Sequence, residues 1–166
     1  GAHSLAANTT ASNNTAVGGC SLYANTTGGC NTAVGFKSMC ANTCGHQNTA
    51  SGAYALNYNT TGCYNTAVGM QALLSNTTGC YNTSIGWYAL RTSTTGKNNT
   101  ASGMYALKNS TTACENTGIG ACSLFATTSG TMNTAVGHSA MKANTCGWYN
   151  TAIGTVALAS NTTGYY

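Results

Sequence analysis

The block Asn-Thr-Ala-Val-Gly that begins at Asn14 returns every 17 residues, at Asn31, Asn48, Asn65, Asn82, Asn99, Asn116, Asn133 and Asn150, with no insertion or deletion between copies. An unbroken period gives every unit the same neighbours ahead and behind, so the properties of the chain are carried by columns of equivalent residues and not by one pocket. Residues 1–166 read as a single repeat array without a separate domain.

Numbering the columns from Asn14, the first is asparagine and the second threonine in every complete unit, the fifth is glycine throughout, and the thirteenth is always threonine. The ninth column holds only leucine or methionine. The fifteenth is glycine except at Ala11 and Ala113, whereas the sixth runs through Gly19, Phe36, Ala53, Met70, Trp87, Met104, Ala121, His138 and Thr155. Strict columns mark core or corner, and a column that tolerates tryptophan, histidine and glycine marks an outward face.

Seventeen residues are too few for a helical hairpin, which in repeat families needs more than about 30. Recurring glycine, asparagine and paired threonine would also weaken a helix interior through backbone entropy, χ1 restriction and competing side-chain hydrogen bonds. The expected fold is therefore all-β: a β-solenoid, β-helix or β-roll, of about ten stacked 17-residue coils. At about 4.8 Å per coil it would form a rod on the order of 48 Å long. Leu22, Leu56, Leu73, Leu90, Leu107, Leu124 and Leu158 are the expected core ladder. Alternation within Asn-Thr-Ala-Val-Gly would turn the threonine and the Val/Ile inward and the alanine outward, with the glycine free to take positive φ at the bend. Stacked asparagines can hydrogen-bond up such a ladder, and the absence of proline suits positions that need their N–H groups. Units close to consensus at both ends lead to the expectation that the array continues or adds to copies of itself.

Charge excludes several function classes. The chain has five basic residues and one acidic residue, where a soluble domain is about a quarter charged. Lys37, Arg91, Lys97, Lys108 and Lys142 read as thinly spread, without the basic patch of a nucleic-acid reader. No apolar run reaches the roughly 18 residues of a membrane span, and no signal-peptide pattern is present. Glu115 is the sole carboxylate side chain, leaving no acid pair, no acidic calcium loop and no serine triad, so no enzyme and no cofactor are expected. His3, His46 and His138 stand in three different columns, and Cys40, Cys44 and His46 lack the second ligand pair of a zinc finger, so no metal site is expected.

Nine cysteines scatter over several columns, an odd number that argues against a disulfide framework. Cys63 and Cys80, one coil apart in the sixteenth column, are the one pair placed for a possible disulfide. Asn-x-Ser/Thr triplets make Asn8, Asn13, Asn25, Asn59, Asn76, Asn82, Asn98, Asn109 and Asn161 glycosylation candidates. Five of these share the twelfth column, where sugars would form a hydrophilic coat. The bland account is that asparagine favours a bend and threonine a strand.

The repeated Asn-Thr-Ala-(Val/Ile)-Gly-x-x-Ala-Leu, as at 65–73 and 150–158, resembles the head repeats of trimeric autotransporter adhesins and repeat arrays in bacteriophage tail fibres. The resemblance covers the whole chain. It implies a β-roll or β-helix, often built by three chains as a homotrimeric fibre, that projects a binding tip from a cell or virion. The expected function is the structural shaft of an extracellular fibre, filament or phage tail fibre, with further copies of the chain as partners. One alternative is an adhesin that stacks Tyr54, Tyr64, Tyr81, Trp87, Tyr88, Tyr105 and Trp148 on surface glycans. Another is an ice-binding solenoid with an outward threonine array; adjacent threonines of the thirteenth and fourteenth columns point to opposite faces, so the Asn-x-Thr pair would be the outward one, interrupted at Cys44 and Cys146.

Overall fold

The computed structural model describes residues 1–165, all of which belong to one β-solenoid. Nine three-residue strands, β1 (Thr15–Val17), β2 (Thr32–Val34), β3 (Thr49–Ser51), β4 (Thr66–Val68), β5 (Thr83–Ile85), β6 (Thr100–Ser102), β7 (Thr117–Ile119), β8 (Thr134–Val136) and β9 (Thr151–Ile153), form one parallel sheet in chain order. Each residue pairs with the one 17 positions on, Thr66 with Thr83 and Val68 with Ile85, so the sequence period is the coil. No helix occurs among the described residues.

The leucine and methionine ladder lies where expected. Leu22, Leu56, Leu73, Leu90, Leu107 and Leu124 are fully buried, as are Met39 and Met141; Leu5 in the first coil is partly buried and Leu158 in the last is half exposed. Met70, Trp87 and Met104 of the sixth column face solvent.

The parity of the strand is the reverse of the expectation. In β2, β4, β5 and β7 the central residue is buried while the flanking threonine is half buried and the Val/Ile exposed. The reason is space. The ninth-column side chains already fill the centre of the coil, and opposite them only a methyl group fits: a Cβ on Gly118, which stands in the alanine column, would lie 3.4 Å from Leu107 Cγ and Cδ1 and 3.0 Å from Ser123 Oγ. Valine or isoleucine there would overpack the core. Where serine takes the position, Ser84 satisfies its hydroxyl by donating to the Ala89 carbonyl at 2.9 Å.

Corners are made by an unusual backbone. The fifth-column glycines have φ between 119° and 140°, and a side chain on Gly86 would place Cβ 2.7 Å from the carbonyl carbon and oxygen of Gly103. Three non-glycine residues per coil are also left-handed, in the seventh, ninth and seventeenth columns: Tyr88 at 59°, Leu90 at 48° and Asn98 at 57°. Left-handed backbone disfavours residues with a Cβ, so these turns are held by bonds between coils. Tyr88 N–H donates to the Met70 carbonyl of the coil before, at 3.2 Å, and Leu90 N–H to the Ala106 carbonyl of the coil after, at 3.0 Å.

Two asparagine ladders run inside the rod. In the first column, Asn48 donates its backbone N–H to Asn31 Oδ1 at 3.0 Å, and its Nδ2 to that oxygen and to the Gly62 carbonyl. In the twelfth, Asn59 Nδ2 donates to Asn42 Oδ1 at 2.7 Å and to the same Gly62 carbonyl at 2.9 Å. The thirteenth-column carbonyls serve equally as hubs. Thr43 O accepts from the N–H groups of Thr26, Thr27 and Gly28 and from Thr26 Oγ1, which accounts for a threonine that never varies.

The twelfth-column ladder is broken at Ser93, Ser110 and Thr127. Asn76 Oδ1, Ser93 Oγ and Ser110 Oγ are buried there without a protein partner. Ser110 also accompanies Ala113, the one interior alanine in the glycine column. A Cβ at the equivalent Gly45 would run into Asn42 Oδ1 and the Gly62 carbonyl oxygen, so an asparagine at 110 would meet the Ala113 side chain. Ser93→Asn should therefore rejoin the ladder to Asn76 and stabilise the rod by about 1 kcal/mol, whereas Ser110→Asn should destabilise it by driving the carboxamide against Ala113 Cβ. Denaturant unfolding of the two variants beside the parent measures both signs.

Candidate functional site

No pocket exists among the described residues, nor any group of three or more His, Cys, Asp and Glu side chains placed to hold a metal ion. What the rod presents to a partner is therefore a set of columns on its outer faces.

The first face is the sheet itself. Each strand turns one threonine and one Val, Ile or Ser outward, in register with the next strand, giving two parallel columns along the rod. Val17, Val34, Val68, Ile85, Ile119 and Ile153 form an exposed apolar ridge interrupted by Ser51 and Ser102. The threonines considered for water ordering stand elsewhere. Those of the thirteenth column spend their hydroxyls on the next coil, as Thr60 Oγ1 does on the Thr77 carbonyl at 3.0 Å. The outward threonine array belongs to the second column.

The second face joins the sixth, seventh and tenth columns. Trp87 packs edge-on against Tyr88 at 4.7 Å between ring centroids and tilts against Tyr105 at 5.2 Å, and Tyr105 meets Phe125 edge-on at 6.3 Å. Arg91 lies over the Tyr88 ring at 5.1 Å, and Lys108 over Tyr105 at 5.0 Å and Phe125 at 5.3 Å. Arg91 Nε donates to Gln71 Oε1 at 3.0 Å. The basic residues are thus less scattered than the sequence suggested. Arg91, Lys108 and Lys142 share the tenth column, and the coil stacks them on one line with Phe125 between the second and third. Tyr54 belongs to a separate pair with Phe36 at 5.5 Å.

The third face is the corner formed by the sixteenth and seventeenth columns. Tyr64 and Tyr81 stack at 4.9 Å with an interplanar angle of 5°, and Trp148 tilts against Tyr149 and Tyr165. Cys63 and Cys80 are neighbours here, but all nine cysteines are free thiols. In-register stacking turns both side chains the same way, one coil apart, whereas a disulfide needs its sulfurs about 2 Å from each other. Instead Cys63 N–H donates to Cys80 Sγ at 3.2 Å, and Cys63 Sγ lies 3.1 Å from His46 Nδ1.

The glycosylation candidates divide sharply. Asn25, Asn59, Asn76 and Asn82 are fully buried, with Nδ2 donating inside the ladders, as Asn76 does to Asn59 Oδ1 and the Gly79 carbonyl. The folded coil has no room for a sugar at these four, and the twelfth-column coat is removed in the interior of the rod. Asn8, Asn13 and Asn98 are exposed, and Asn109 and Asn161 partly so. A triplet motif does not reveal that its carboxamide is already used.

Comparison with protein-family models, with curated proteins and with solved structures gives no match.

The thiols differ in ionisation. The Thr27 hydroxyl, donating toward the sulfur, is the largest influence on exposed Cys44 and lowers its thiol pKa. Burial, reinforced by Cys20, pushes Cys40 up, and burial likewise pushes Cys63 up. Because the thiolate is the nucleophile, maleimide at neutral pH should label Cys44 ahead of Cys40 and Cys63. The gap should narrow as pH passes the ordinary thiol value of about 8.5; peptide mapping of partial labelling reads the order.

Proposed function

We propose that this chain is the repeating shaft of an extracellular fibre, filament or phage tail fibre, structural and not catalytic, whose copies pack side by side. The observation that carries the reading is the uninterrupted in-register stack with a Val/Ile ridge exposed along its sheet face. A mostly apolar line of this kind, broken only by Ser51 and Ser102, on a chain with five basic and one acidic residue marks an interaction surface. Each rod would bury its ridge against the same ridge of its partners, and the closed symmetry that satisfies this with one repeated interface is a ring of copies about the rod axis. The resemblance to fibre-forming repeats supports a trimer. Sedimentation and electron microscopy should show multi-chain rods, and charges placed on the ridge, Val68→Lys with Ile85→Lys, should release single rods of unchanged circular dichroism. A parent chain that sediments as a single rod would remove the reading.

A second reading rests on the same face left uncovered. Second-column threonines recur once per coil, about 4.8 Å apart along the rod, beside a column of β-branched methyl groups. A regular hydroxyl and methyl grid with no charge on it is a surface on which an ordered water layer can form. Under this reading the single rod depresses the freezing point below the melting point, and Thr100→Tyr, at the centre of the grid, abolishes the gap. Osmometry with ice present distinguishes the readings, because lateral packing would hide the grid.

A further inference from the structure

We propose that the tenth-column line from Arg91 to Lys142, with the aromatic cluster beside it, binds an acidic polysaccharide, one bearing carboxylate or sulfate groups along its length. The chemistry follows from what faces solvent. Three cations stand within four successive coils, at about 4.8 Å per coil. The only carboxylate side chain, Glu115, belongs to the seventeenth column and not to this line. Arg91 uses only Nε–H within the protein, toward Gln71, which leaves four of its five N–H groups for a ligand. Lys142 is exposed, and so is the Trp87 indole of the sixth column, which packs against Tyr88 and Tyr105 beneath the cations.

The arrangement is fixed before any ligand arrives. Tyr88 and Tyr105 are held in left-handed backbone by the ladder, through Tyr88 N–H to the Met70 carbonyl and Tyr105 N–H to the Trp87 carbonyl at 3.0 Å. Arg91 and Lys108 are drawn down over their rings. Side chains already ordered lose less freedom on binding, which favours a weakly contacting, extended ligand. The absence of a concave site among the described residues points the same way, to a chain lying along the rod. Aromatic faces suit the C–H surfaces of sugar rings, and the cations suit acidic substituents. Nucleic acid is the less favoured occupant, since its binders commonly neutralise about 6–10 phosphates and this line offers three cations.

The inference rests on the rod displaying its variable columns, and its measurement does not depend on assembly. A single rod that binds supports the line and removes the shaft; a multi-chain fibre that fails to bind does the reverse. Titration of the full chain with polygalacturonate, chondroitin sulfate, neutral dextran and poly(dT) separates carboxylate, sulfate, neutral-sugar and nucleic-acid recognition. Binding to at least one of the two acidic polysaccharides is expected, weakened by added salt and at least tenfold tighter than to dextran. Lys108→Gln with Lys142→Gln should reduce it at least tenfold, and Trp87→Ala should reduce it as well; Lys142→Gln alone, at an exposed side chain, serves if the others disturb the circular dichroism. No binding to either acidic polymer, binding unchanged by the substitutions, or tighter binding to poly(dT) would overturn the proposal.

Discussion

One glycine carbonyl per coil closes the ring on which everything else in this rod depends. The Gly62 oxygen receives Asn48 Nδ2 from the start of its own unit and Asn59 Nδ2 from three residues before. Each asparagine then passes its own Oδ1 to the next coil. The same atoms thus set the circumference of a coil and the register between coils. A buried carboxamide is costly unless its hydrogen bonds are made, and the repeat makes them along the first column, while the twelfth leaves Asn76 Oδ1 beside Ser93, and Asn144 Oδ1 and Asn161 Nδ2 near the end of the rod, without a protein partner. Polar ladders thereby supply the specificity that a core of single leucines and alanine methyls is too narrow to supply alone.

How much of this was legible in the sequence depended on the residue. Leu73 and Leu90 announced themselves as core because a column that accepts only leucine and methionine has one explanation, and Trp87 as surface because its column accepts nearly anything. The strand parity did not. In three residues, Thr-Ala-Val and its inverse are equally good alternations, and the choice is made by the leucine across the coil, which leaves space for Ala67 and none for Val68. Left-handed Leu90 was equally hidden, since nothing in a leucine suggests that conformation. Asn59 and Asn76 looked like glycan acceptors because a triplet records neighbours along the chain, while their partners stand 17 residues away. The cationic line was available to inspection, as Arg91, Lys108 and Lys142 share a column, but its meaning came only with the rings that coil stacking brings beneath the charges.

Uniformity and variation therefore divide the work by column. The invariant positions repeat one set of bonds in every coil, and the free positions can change without touching them, so local chemistry such as the Trp87 cluster sits on a scaffold indifferent to it.

The left-handed corners bear on how such a rod comes into being. Three residues per coil with side chains, such as Tyr88, Leu90 and Asn98, sit in a conformation that costs each about 1–2 kcal/mol. That cost arises within a coil, whereas the bonds that offset it, from Tyr88 N–H backward and Leu90 N–H forward, reach into both neighbours. A lone coil has the expense and none of the return, so the chain should pass from unfolded to folded through a nucleus of several coils closed together. Once that nucleus exists, each further coil adds to a finished template. Opening follows the same logic in reverse: a coil that has lost one neighbour has lost part of what offsets its corners, and it is the next to be released.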